Sequence, residues 1–183
     1  VELQIGEGTD QSFVLPTNEF FNYSVSQQIY TAEEMQDTYG TITNIAIKQS
    51  TDGSYIREFA IYMMSTDKEY FSTSSDWVDV TSADLVFHGE VTYPGLSGGW
   101  LNITLQTPFV YEGGNILLCI NDLTGEYYAS SGFATYEAGD APRSILAYRD
   151  THAFDASALT SDTNIDGEFE GSGTFFNNQI EFT

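Results

Sequence analysis

The sequence predicts an all-β protein, a jelly-roll-like β-sandwich of about ten antiparallel strands with one short helix. Short runs of Ile, Val, Phe, Tyr and Thr recur between clusters of Gly, Asn, Asp and Ser, and helical periodicity is nearly absent. Two segments alternate apolar and polar residues, each giving one core face and one wet face. The chain has 183 residues, 41% of them hydrophobic, with 13 Phe, 12 Tyr and 2 Trp. That is enough to bury a core without disulfide or metal staples, so one domain over 1–183 is expected.

In chain order, residues 12–15 and 25–30 read as strands flanked by polar turn residues. Thr31 and Glu34 have the spacing of a capping box and Gly40 can end the turn, which predicts a short helix over 32–36. A strand over 41–48 follows. Residues 56–64 and 115–120 are apolar on both phases, as strands covered on both faces would be, and are expected at the centre of the sandwich. In 84–92, Leu85, Phe87 and Val91 share one phase and His88, Glu90 and Thr92 the other. In 100–106, Leu101, Ile103 and Leu105 alternate with Asn102, Thr104 and Gln106. These two segments, joined by the Pro- and Gly-containing stretch 93–99, are expected to form a hairpin. Strands over 127–136, 144–149 and 173–182 complete the set. The stretch 150–173 is long and poor in strand signals, and reads as a functional or variable loop.

With 27 acidic residues against 5 basic ones the formal charge is -22, which repels a phosphate backbone and an anionic leaflet alike. Nucleic acid is therefore not expected as a partner. No stretch approaches the roughly 18 apolar residues that span a bilayer, so membrane insertion is not expected, and the first residues do not read as a signal peptide. The single cysteine, Cys119, lies in the apolar run Ile116-Leu117-Leu118-Cys119-Ile120 and has no intrachain disulfide partner.

The sharpest local pattern is Asp162-Thr163-Asn164-Ile165-Asp166-Gly167, which repeats the first half of an EF-hand loop. Its twelfth position is Gly173 rather than the bidentate Glu, so it is not an EF-hand. A nonstandard calcium loop of Asp162, Asn164, Asp166 and Glu168, with Glu170 close by, is the candidate metal site and calcium its candidate cofactor; the alternative is a plain polar turn, since Asp, Asn and Gly are common turn residues. Gly95-Leu96-Ser97-Gly98-Gly99 matches G-x-S-x-G, but a nucleophile elbow needs a strand-to-helix turn and this segment runs into a strand. His88 lies upstream without an evident orienting carboxylate. Two histidines are too few and too isolated for zinc. Trp100 falls on the polar phase of its strand with Asn102, which makes these two the candidate ligand-binding residues, since an exposed aromatic face beside an amide suits a sugar ring; the alternative is that Trp100, next to the glycines of 93–99, covers the sandwich end or an edge. Tyr127, Tyr128 and Tyr136 rank behind Trp100.

Three stretches carry a family resemblance: Tyr23-Ser24-Val25-Ser26-Gln27-Gln28-Ile29-Tyr30, the segment 71–77 before Val78-Asp79-Val80, and Thr107-Pro108-Phe109-Val110-Tyr111-Glu112-Gly113-Gly114-Asn115-Ile116-Leu117. They resemble modules of large Bacteroidetes surface and secreted proteins, near the cleaved-adhesin and gingipain adhesin-domain group, over about residues 23–180. The resemblance implies a jelly-roll sandwich, often with bound calcium, that is one module of a larger or processed surface protein. It further implies secretion or display on the cell surface and adhesion to a host protein or glycan. The function expected is thus a non-catalytic, adhesin-like binding module. A carbohydrate-binding module of a secreted hydrolase and a structural spacer are the alternatives.

Overall fold

The computed structural model describes residues 1–129, 131–159 and 172–183. Its strands are β1 (Leu3–Ile5), β2 (Asp10–Ser12), β3 (Tyr23–Tyr30), β4 (Gly40–Lys48), β5 (Ile56–Thr66), β6 (Leu85–Thr92), β7 (Trp100–Tyr111), β8 (Asn115–Asp122), β9 (Phe133–Glu137), β10 (Ser144–Arg149), β11 (Ser172–Thr174), β12 (Phe176–Asn178) and β13 (Ile180–Phe182). They build three antiparallel sheets, ordered β1-β13-β4-β7, β11-β10-β3-β8-β5-β6 and β12-β9-β2. The all-β sandwich expected from the sequence is the fold observed.

Alternation along each strand decides which side of the sheet a residue takes. Phe59, Ile61 and Met63 of β5 and Ile116, Leu118 and Ile120 of β8 pack against Ile45 and Ile47 of β4 and Leu101, Ile103 and Leu105 of β7. This is the main core, between the large sheet and the four-stranded one. The opposite phase of β8, Leu117 and Cys119, lies with Val25, Ile29 and Ile145 on the outer side of the large sheet. That side is covered by two connections carrying Phe71 and Val80, and Phe154 and Leu159. Gln27 holds the first cover, donating to the Val78 carbonyl at 2.9 Å and accepting from its amide at 2.8 Å. Asn121 holds the second by donating to the Phe154 carbonyl at 2.8 Å. Central strands apolar on both phases are the consequence of this double cover. Cys119 is fully buried, and burial pushes its thiol up to about 12, so it packs as a hydrophobe.

Several local expectations are corrected. The Thr31/Glu34 capping box does form, with Thr31 N donating to Glu34 Oε1 at 2.9 Å and Glu34 N donating to Thr31 Oγ1 at 3.3 Å. No helix follows, because Gln36 and Asp37 turn left-handed at φ 51° and 53°, and Glu34 is drawn to Arg143 and Tyr136. The short helix among the described residues is a 3-10 turn at Ser82–Asp84, capped by Thr81 and Asp84.

The expected 84–92/100–106 hairpin does not form: β6 pairs with β5, and β7 pairs with β4 across the sandwich. Segment 93–99 is an arch between sheets, folded over 50–54 by the Gly53–Gly95 bridge and by Ser97 N donating to Asp52 Oδ1 at 2.8 Å. The two strands still meet edge to edge through one side chain. His88 N donates to Gln106 Oε1 and Gln106 Nε2 donates to the His88 carbonyl, both at 3.0 Å.

Segment 173–182, read as one strand, is divided among all three sheets: β11 pairs with β10, β12 with β9, and β13 with β4 and β1. The strand expected over 127–136 begins only at Phe133.

Candidate functional site

The registers bring five connections to one end of the sandwich. Tyr23 opens β3 opposite Arg149 at the close of β10, and Ser24 and Phe59 both face Asp122 at the close of β8. Ile56 pairs with Thr92 and Lys48 with Trp100. Segments 13–22, 49–55, 93–99 and 123–129, and the described residues that directly follow Arg149, therefore meet at this end.

Its foundation is ionic and buried. Arg57 and Asp122 are both fully buried, with a guanidinium nitrogen 2.7 Å from Asp122 Oδ2 and Arg57 Nε donating to the same oxygen at 2.9 Å. The remaining guanidinium donors reach two loop carbonyls, Glu126 at 2.6 Å and Phe21 at 3.2 Å. One side chain thus ties loop 13–22 and loop 123–129 to the strands below. Burial holds the Asp122 carboxyl above its usual range, against the pull of Arg57.

Glu19 is the second buried carboxyl. Its Oε1 accepts from Thr17 Oγ1 and Tyr93 OH, while its Oε2 has no partner among the described residues. Burial pushes the group up to about 7, with the hydroxyls of Thr17 and Tyr93 opposing.

The two loops are zipped above these groups, Tyr128 N donating to the Glu19 carbonyl at 2.8 Å and Gly125 N to the Asn22 carbonyl at 3.0 Å. Phe20 and Tyr127, one on each of these two bonded loops, are 58% and 69% exposed. Rings of neighbouring residues pack beneath these loops. Phe20 meets Phe21 edge-on at 5.7 Å, Phe21 stacks on Tyr148 at 4.5 Å, and Tyr55 leans on Tyr128 at 5.2 Å. Polar groups rim the rings: Asn22 is bonded through its backbone and side chain to Asp150 at 3.0 and 3.1 Å, and Glu126 accepts from Tyr128 OH at 3.1 Å.

Trp100 and Asn102 share the outer face of the four-stranded sheet, as their alternation predicts. Trp100 is half-buried with the Lys48 ammonium 5.8 Å from its ring centroid, and Asn102 is exposed and donates to the Trp100 carbonyl at 3.2 Å. Their phase-mates on β7, Thr104 and Gln106, are polar, so Trp100 gains no second ring from its own strand. Asp162, Asn164, Asp166 and Glu168 lie outside the described residues. Among the described residues no group of three or more His, Cys, Asp or Glu is placed to hold a metal ion. Ser97 Oγ donates to the Ser50 carbonyl at 2.9 Å and His88 faces Glu58 Oε1 at 3.2 Å, so these two engage different partners. Tyr136 is committed to Glu34.

Phe20 and Arg57 were not singled out in the sequence. The available signals were an aromatic pair, Phe20-Phe21, in a segment without strand alternation, and an arginine inside an otherwise apolar central strand.

No family model and no curated protein matches the chain. Among solved structures it is similar to the cysteine protease and lectin-like domains of a surface-layer-associated protein of Clostridium difficile, at 11% identity and a TM-score of 0.37. The match covers 88% of this chain and 32% of that one, so the chain spans about a third of the neighbour's length. A likeness of that size carries no argument about function.

Proposed function

We propose that this chain is a non-catalytic binding module of a secreted or cell-surface protein and that it takes a neutral glycan at the aromatic loop end. The observation that carries the reading is the pair Phe20 and Tyr127, exposed on two loops that a buried Arg57 fixes from below. Exposed rings cost free energy in water unless something covers them, and rings whose backbone is already fixed lose little entropy on binding. The C–H faces of a pyranose fit such rings, and its hydroxyls fit the rim of Asn22, Asp150 and Glu126. A formal charge of -22 disfavours sulfated or sialylated ligands, which leaves neutral sugars. The resemblance to adhesin modules agrees with this reading, and so does a place beside a secreted hydrolase.

The test is a glycan array followed by calorimetry, with and without calcium because of the Asp162, Asn164, Asp166 and Glu168 loop. Neutral glycans are expected to bind, and the double variant F20A/Y127A to lose at least tenfold in affinity while its melting temperature stays unchanged. W100A and N102A are expected to bind as the wild type does. Loss in W100A alone would move the site to the sheet face, and absence of any binding would leave the spacer reading.

A further inference from the structure

We propose that Glu19 is a proton-operated latch on the aromatic end: with its carboxyl neutral the segments 19–22 and 125–128 are zipped, and loss of its proton loosens them. The side chain is fully buried, and one carboxyl oxygen accepts two hydroxyls while the other meets no donor among the described residues. A neutral carboxyl tolerates that arrangement at the cost of one unmade hydrogen bond, whereas a carboxylate would be a desolvated charge.

The groups packed around it offset only part of that charge, the two hydroxyls and the Glu19 backbone amide favouring it and burial outweighing them. Thr17 from its own loop and Tyr93 from the arch after β6 supply hydroxyls, and Asp122 at the end of β8 adds a repelling carboxyl. Arg57 of β5 is the cation here, and its donors go to Asp122 and to the carbonyls of Phe21 and Glu126. An ionised Glu19 must therefore draw in water or swing out. Its own carbonyl holds the Tyr128 amide, and Phe20, the exposed ring, is the next residue. Movement at position 19 is thus movement of the platform. Burial sets the proton's departure near neutral pH, so the aromatic end is assembled in mild acid and loosened in mild base.

The latch is read without any ligand, and rests on the glycan reading only for its consequence, tighter binding at lower pH. It is tested by amide hydrogen exchange of the intact chain, read by NMR at pH 5.5 and 8.5 and corrected for intrinsic base catalysis. Protection of the Tyr128 and Gly125 amides is expected to fall at least tenfold relative to Leu118 in β8, and not to fall in E19Q. Unchanged protection in the wild type, or an equal fall in E19Q, overturns the proposal. A pH-dependent zipper on a chain that binds no glycan would refute the glycan reading and leave the latch standing.

Discussion

Arg57 is one of 5 basic residues against 27 acidic ones, and it is completely buried. A lone guanidinium would be expensive there, and the arrangement holds because every direction it points in meets an acceptor: Asp122, Glu126 O and Phe21 O. Replacing it with Met strands a buried carboxylate and two carbonyls, and is expected to cost about 3–5 kcal/mol in urea denaturation. The double variant R57M/D122L removes the stranded carboxylate as well and should recover much of that loss. It should still leave loop 123–129 less protected in hydrogen exchange, since no group then reaches the Glu126 carbonyl. The sequence shows an arginine in an apolar strand but not its partners, because Asp122 is 65 residues away and only the β5–β8 register brings the two together.

At the scale of elements, alternation tells which face of a strand is buried but not which strand lies beside it. The segments now called β6 and β7 have matching phases and a turn-rich connection, yet they close opposite sheets and are joined by the Gln106 carboxamide acting as a surrogate strand. Gln106→Ala is expected to lose about 1 kcal/mol, the net worth of such bonds at a surface, and to speed exchange of the His88 amide. The outer cover of the large sheet is a second case. Strands apolar on both phases announce that something must cover the second face, and the Phe71–Val80 connection is one of the two that cover it. Phe71→Ala should therefore behave as a core truncation, costing about 3–5 kcal/mol in the same denaturation assay, although the residue lies in no strand. The 32–36 helix failed for a related reason: its cap forms as written, but tertiary bonds from Arg143 and Tyr136 to Glu34 divert the chain before a second turn.

For the whole molecule, the charge and the buried acids act in the same direction. Glu19, through burial, and Glu181, through burial and the neighbouring Glu2, are pushed from 4.5 to about 7 in the folded state. The native state keeps protons that the unfolded chain has lost, so stability falls as the pH rises from about 4.5 to 7 and is lowest above it. Glu19 by itself corresponds to about 3 kcal/mol across that window. Asp76, lowered by bonds from Lys68 and Ser72 against burial, and Asp155, lowered by Ser157, work the other way. Their contribution is present above the ordinary aspartate range and is lost as the pH falls through their folded values. A stability maximum in mild acid is expected in denaturation curves from pH 3 to 9, with a flatter alkaline limb in E19Q. Self-repulsion at a formal charge of -22 adds a salt dependence, and raising NaCl from about 0.01 to 0.15 M should raise the melting temperature at pH 8 by a few degrees.

What the sequence determined by itself was the class of fold, the central strands and the phase of each face. These follow from periods of two and from which residues avoid water, and both are local properties. Trp100 and Asn102 lie on the outer face that their alternation assigned them. Strand partners, the crossing between sheets and the loop end that carries both Phe20 and Tyr127 were decided only by the tertiary structure. Those depend on contacts between residues far apart in the chain, above all the three carried by Arg57, and no local pattern records which distant carbonyl a buried charge will find.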